Sequence, residues 1–199
     1  MIMVLRTPSV TDNVFQSLNR WATQQDENFV TDSFAYLLRL LVRNDRAAAA
    51  TILQKLTGGC FDISLQTLAQ VQIETQVATD HGYPDIRITC AGHCALVEVK
   101  VESPPDQSQL ARYRKALDEC GVQKTCLVLL TRYPAELDPT LALPDHKVRW
   151  LQIADWLQSE NGQQIDSPIS RFMTEQFVTF LQQRGMAVRQ LQPDLAPGI

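Results

Sequence analysis

The apolar residues of this chain change period along its length, and that change limits the fold more than any other feature. Through the first quarter they recur at helical spacing. Val14, Phe15, Leu18 and Trp21 form one stripe, with Thr11 or Asp12 before it as a cap. Phe34, Leu37, Leu38 and Leu41 form a second, predicting a helix from Glu27 to Arg43. An alanine-rich third helix, 46–56, stops at Gly58-Gly59. Then the period drops to two. Val71, Ile73, Thr75 and Val77 alternate with polar residues, Ile86 and Ile88 alternate again, and Ala91-Gly92-His93 reads as a tight turn into an apolar strand, 95–101.

Pro104-Pro105 end that strand by removing backbone donors, and Asp106 caps a helix bearing Leu110, Tyr113 and Leu117. Strands at 125–131 and 147–152 follow, then helices at 155–159 and 168–184. This order predicts an α/β fold, a central mixed sheet with helices around it. The chain reads as one domain over 1–199, with a helical N-terminal part 11–57, a catalytic core 68–152, C-terminal helices 153–185 and a loose tail 186–199. In the last helix, the stripe Ile169, Phe172, Met173, Phe177, Phe180 and Leu181 is expected to pack into the core, with subunit association as the alternative.

Composition narrows the function classes. A formal charge of −4 excludes a protein that coats nucleic acid by bulk attraction, though not one that cuts it, because a carboxylate site is itself negative. No apolar run approaches the ~20 residues needed to span a bilayer, so no membrane partner is expected. The first residues are too short for a signal peptide, and five cysteines make an odd set in a chain of ordinary core size. Both point to the cytoplasm.

One strand carries charges where its neighbours are apolar. In Val97-Glu98-Val99-Lys100-Val101, the valines share one face, while Glu98 and Lys100 share the other, roughly 6–7 Å apart. Charges in such a strand are costly to bury without a task. Asp85, after Gly82-Tyr83-Pro84, starts the preceding strand, and a hairpin through Gly92 brings it beside Glu98. Two adjacent carboxylates repel unless they share a proton or a cation. Mg²⁺ or Mn²⁺ suits them, with the carbonyl of Val99 as a further ligand, and Lys100 can orient water and offset transition-state charge. This is an arrangement for phosphodiester hydrolysis.

The pattern resembles the PD-(D/E)XK nuclease superfamily, with Pro84-Asp85 as the first half and Glu98-Val99-Lys100 as the second. Gln109-Leu110-Ala111-Arg112-Tyr113 is similar to the QxxxY element of the branch that includes RecB and lambda exonuclease. The stretch from Glu27 to Leu38 is similar to that branch's N-terminal helix. The resemblance spans about residues 20–160. It implies a restriction-endonuclease-like core and metal-dependent cleavage, of DNA more than RNA. It also implies Glu27 as a third metal ligand, and Gln109 and Tyr113 holding the scissile backbone. A place in DNA processing or phage defence follows from family analogy alone.

Plainer readings stand beside these. Asp85 and Glu98 can form a structural pair with Lys100 or Arg87, Tyr113 can be core filler, and Glu27 can be a first-turn residue favoured by the helix dipole. Glu74 faces either the same cleft or solvent. Cys90, His93 and Cys94 have the wrong spacing for a zinc knuckle, and the flanking cysteines of an iron–sulfur cluster are missing, so neither is expected. Arg112, Arg114, Lys115, Lys124 and Arg132 are the candidate groove cations. The alternative function is an inactive or partner-controlled binding and assembly module on the same fold, with a homodimer or a regulatory protein as partner.

Overall fold

The computed structural model describes residues 13–22, 25–61, 63 and 65–188. The elements in chain order are α1 (Val14–Asn19), α2 (Asp26–Asn44), α3 (Arg46–Leu56), β1 (Gln72–Thr75), β2 (Ile86–Cys90), β3 (His93–Lys100), α4 (Gln107–Glu119), β4 (Lys124–Thr131), β5 (His146–Arg149), α5 (Trp150–Gln163) and α6 (Pro168–Gln183). The strands form one open sheet in the order β1-β2-β3-β4-β5. β1, β2 and β3 run antiparallel, whereas β3, β4 and β5 are parallel neighbours. The protein is therefore α/β, a five-stranded mixed sheet flanked by helices.

The two faces of β3 and β4 settle where a site can lie. Ala95, Val97 and Val99 of β3 and Cys126, Val128 and Leu130 of β4 point into the larger core, with side chains from α2, α3, α5 and α6. Phe34, Trp150 and Phe177 meet there, the rings of Phe34 and Trp150 edge-on with centroids 5.4 Å apart. Such pairs add about 0.5–1.5 kcal/mol beyond the area they bury. On the other face, Cys94, Leu96 and Leu127 pack under Leu110, Tyr113 and Leu117 of α4. That second core is small. It covers only part of its face and leaves the ends of β3 and β4 to polar side chains.

The β2–β3 turn has positive φ at both central residues, 42° at Ala91 and 81° at Gly92. This geometry matches the twist of a two-residue hairpin, and it fixes the register that sets Ile86 opposite Val97. One residue further along, Asp85 faces Glu98.

Several expected boundaries moved. The strand expected at 147–152 ends at Arg149, and Trp150 opens a helix of 14 residues in place of the short one expected at 155–159. Gln152 accepts from the backbone N–H of Arg149 at 2.8 Å, which satisfies one donor at the helix start, and Trp150, Ile153 and Leu157 are buried at helical spacing. β1 stops at Thr75 because Gln76 turns to φ 52°. The first helix is six residues long, capped by Asn13, whose Oδ1 accepts from the backbone N–H of Gln16. Of its expected stripe only Phe15 is buried, Leu18 and Trp21 being exposed. Thr11 and Asp12 lie outside the described residues.

In the last helix Phe177, Phe180 and Leu181 join the core as expected, but Ile169 and Phe172 are about half exposed, at 53% and 49%. The expected tail begins with a packed residue. Met186 is buried, and its N–H bonds the carbonyl of Leu181; 189–199 lie outside the described residues. No described helix is long and apolar enough to cross a membrane.

Candidate active site

Asp85 is held from two sides. Its Oδ2 accepts the backbone N–H of Val99 at 2.8 Å, and its Oδ1 accepts the side-chain amide of Gln76 at 2.9 Å. The bond from Val99 exists because Asp85 stands at the start of β2, one residue beyond the last strand pair, where β3 has an unused donor. Gln76 also donates its own N–H to the carbonyl of Asp85 at 3.1 Å. A non-glycine residue at φ 52° is uncommon and mildly strained, and here that backbone turn directs the amide at the carboxylate. Sequence reasoning passed over Gln76 as an outward residue of an alternating strand. The nearby Gly82-Tyr83-Pro84 interruption was the only hint that the alternation would break there.

Glu98 is 1% exposed in the middle of β3. Neither of its oxygens has a hydrogen-bond donor in good geometry. The Lys100 ammonium does lie 2.6 Å from Oε1, an ion pair across one face of the strand. Burial, and then the neighbouring Asp85, push the Glu98 carboxyl up to about 8, against the opposing pull of Lys100.

Burial works against the charge of Lys100, but pairing with Glu98 and then Glu27 more than offsets it and holds the ammonium above its ordinary range. Glu27 reaches this spot from the first turn of α2. Its Oε1 is 3.6 Å from the ammonium, and its Oε2 accepts the N–H of Val101 at 2.9 Å. Lys100 thus lies between two carboxylates, and Glu27 joins the site through Lys100 and the main chain of β3. Among the described residues, no three His, Cys, Asp or Glu side chains stand together as a ready-made metal cage.

Gln109 and Tyr113, one helical turn apart on α4, are linked by a bond from the Gln109 amide to the phenolic oxygen at 2.9 Å. Tyr113 in turn donates to the carbonyl of Tyr83 at 2.7 Å. Burial raises Tyr113 to about 12, with the charges of Glu98 and Asp85 adding to this against the hydrogen bond from Gln109, so it stays a donor. The pair therefore anchors the turn that presents Asp85. Tyr113 also belongs to the small core, as its plainer sequence reading has it.

The other candidates separate cleanly. Arg87 pairs with Glu74 across the strands at 2.8 Å, which leaves Lys100 as the cation of the carboxylate pair. Arg114 is engaged with Asp145 and Lys115 with Glu119. Arg132 is the candidate cation that shares a cleft with Lys100. His93 donates through Nδ1 toward the carbonyl of Cys90 at 3.0 Å, and Cys90 bonds the carbonyl of Thr67. All five cysteines are free.

Fold and site together define an α/β protein with a buried acidic pair and a lysine at one end of its sheet. No protein-family model, curated protein or solved structure matches the chain.

Proposed function

We propose that the protein is a nuclease that hydrolyses phosphodiester bonds, in DNA more than RNA, with the help of Mg²⁺ or Mn²⁺. One observation carries this: Glu98 is fully buried beside Asp85, so two buried carboxylates meet with one ammonium, that of Lys100, to balance them. Hard oxygen donors at close quarters fit a divalent ion. Asp85 and Glu98 would hold it with the Val99 main chain, and Glu27 is a further donor if Lys100 moves aside. Bound there, the ion lowers the pKa of water and draws charge from a phosphoryl oxygen.

The chain's own residues do the rest. Lys100, charged at every physiological pH, orients the attacking water and then faces the charge that develops on phosphate. Gln76 and the Val99 N–H fix the rotamer of Asp85. Tyr113 and Gln109 hold Tyr83, and through it the turn that carries Asp85, at the edge where a strand would lie. The resemblance to the PD-(D/E)XK superfamily supports the same chemistry, through a restriction-endonuclease-like core, and supports a cytoplasmic role in DNA processing or defence.

A second reading has its own observation. Lys100 already neutralises Glu98 and Glu27, as a purely structural ion pair in a binding or assembly module would. Digestion of linear, circular and single-stranded DNA and of RNA, with and without Mg²⁺ or Mn²⁺, separates the two. Metal-dependent cleavage lost in Lys100→Ala supports the nuclease. No cleavage of any substrate by the metal-supplied protein supports the module.

A further inference from the structure

The carboxyl ends of β3 and β4 open onto a cleft of about 280 Å³, lined by Lys100, Thr131 and Arg132 among others. The chain leaves β3 for α4 and leaves β4 for the long loop to β5, whose Leu137 and Ala142 pack on the same small core as α4, and the starts of both connections line the cleft. The cleft falls just below the ~300–1,000 Å³ of typical small-ligand pockets. That volume is on the scale of a single nucleotide.

Pro104 and Pro105 line the cleft with rigid, apolar surface. Tyr133 lines it too, 57% exposed but positioned: Thr131 Oγ1 donates to its carbonyl at 2.7 Å, and the Arg132 guanidinium lies 5.0 Å from its ring centroid. Arg132 is itself anchored, by Glu102 and by the carbonyl of Arg184 at 2.9 Å. An exposed aromatic ring beside cations is the arrangement that stacks a base while neutralising its phosphate.

Electrostatics point the same way. The net charge is −4, Glu102 and Glu136 also border the cleft, and Arg114 and Lys115 are paired elsewhere. A duplex held by many phosphate contacts needs a broad basic surface. A single strand held by stacking does not.

We propose that this cleft receives one unpaired nucleotide of the substrate, its base stacked on Tyr133 and its phosphate facing Lys100 and Arg132, so that single-stranded or frayed nucleic acid is the preferred substrate. The inference rests on the nuclease reading and assigns its substrate class. Fluorescence anisotropy tests it, using the full chain with Ca²⁺ in place of Mg²⁺, a labelled single-stranded oligonucleotide and a blunt duplex of the same sequence. The single strand binds the wild type more tightly. Tyr133→Ala weakens that binding about tenfold, by loss of one stacked base, while Tyr133→Phe retains it and neither changes the duplex. Thermal melting of both variants stays at the wild-type value, since the ring is exposed. Equal affinity of wild type and Tyr133→Ala for the single strand, or equal loss on both substrates, overturns the stacking cleft and leaves the nuclease reading standing. No binding of either substrate overturns both.

Discussion

Asp85 and Val99 are joined across the β2–β3 hairpin by a hydrogen bond of 2.8 Å from backbone N–H to carboxylate, which places Asp85 against the strand that carries Glu98 and Lys100. A side chain here takes the place of the next rung of a sheet ladder. The acidic residue is thereby fixed by backbone geometry rather than by a mobile partner, which is what a site needs if its ligands are to be in place before an ion arrives.

Gln76 is expected to matter more for activity than for folding. Gln76→Ala removes the amide from Asp85 Oδ1 and lowers cleavage, with a stability loss of about 1–2 kcal/mol from the lost charge-assisted bond. Gln76→Gly relieves the strained φ of 52° and recovers part of that stability while leaving activity low. Denaturant titration beside initial rates checks this. Full activity in both variants would remove Gln76 from the site.

The raised pKa of Glu98 gives a pH dependence with a definite sign. The folded group titrates near 8 and the unfolded one near 4.5, so between those values the folded state binds the extra proton. Stability of the metal-free protein is therefore greatest below the unfolded value. It falls as pH rises toward 8, by at most about 1.4 kcal/mol per pH unit from this group. Glu98→Gln flattens that slope. Urea midpoints in EDTA at a series of pH values between 5 and 9 measure it, and an equal slope in both proteins would assign the dependence elsewhere.

Lys100→Ala is expected to cost about 10²–10³-fold in cleavage, the usual scale for removing one transition-state donor. The fold survives because Glu98, favoured in its neutral form by burial and by Asp85, can take up a proton when its partner is gone. Circular dichroism should be unchanged while product formation is lost. A variant that retains more than a tenth of wild-type turnover would show that Lys100 serves only the ion pair.

The chemistry was more legible in this sequence than the boundaries. Val97, Val99 and Val101 alternating with Glu98 and Lys100 announce a two-faced strand, and the structure puts those faces on different sides of β3 because a strand has no other way to arrange them. The apolar run around Trp150 fits either period; burial of Trp150 against Phe34 and Phe177 favours the helix, and those are contacts only the fold supplies. Trp21 and Leu18 repeat at helical spacing, yet α1 ends at Asn19 and leaves both exposed. Gln76 stayed hidden for a different reason. A positive φ at a non-glycine residue leaves no mark in the sequence.

The attraction of Asp85 and Glu98 for a cation is tested most directly by titrating Mn²⁺ calorimetrically into the metal-free protein at pH 8. Saturable binding that weakens as pH falls, and that disappears in Glu98→Gln and Asp85→Asn, is the expected result. Wild-type heats indistinguishable from those of Glu98→Gln would contradict it and leave the pair, with Lys100, as a structural element of the sheet.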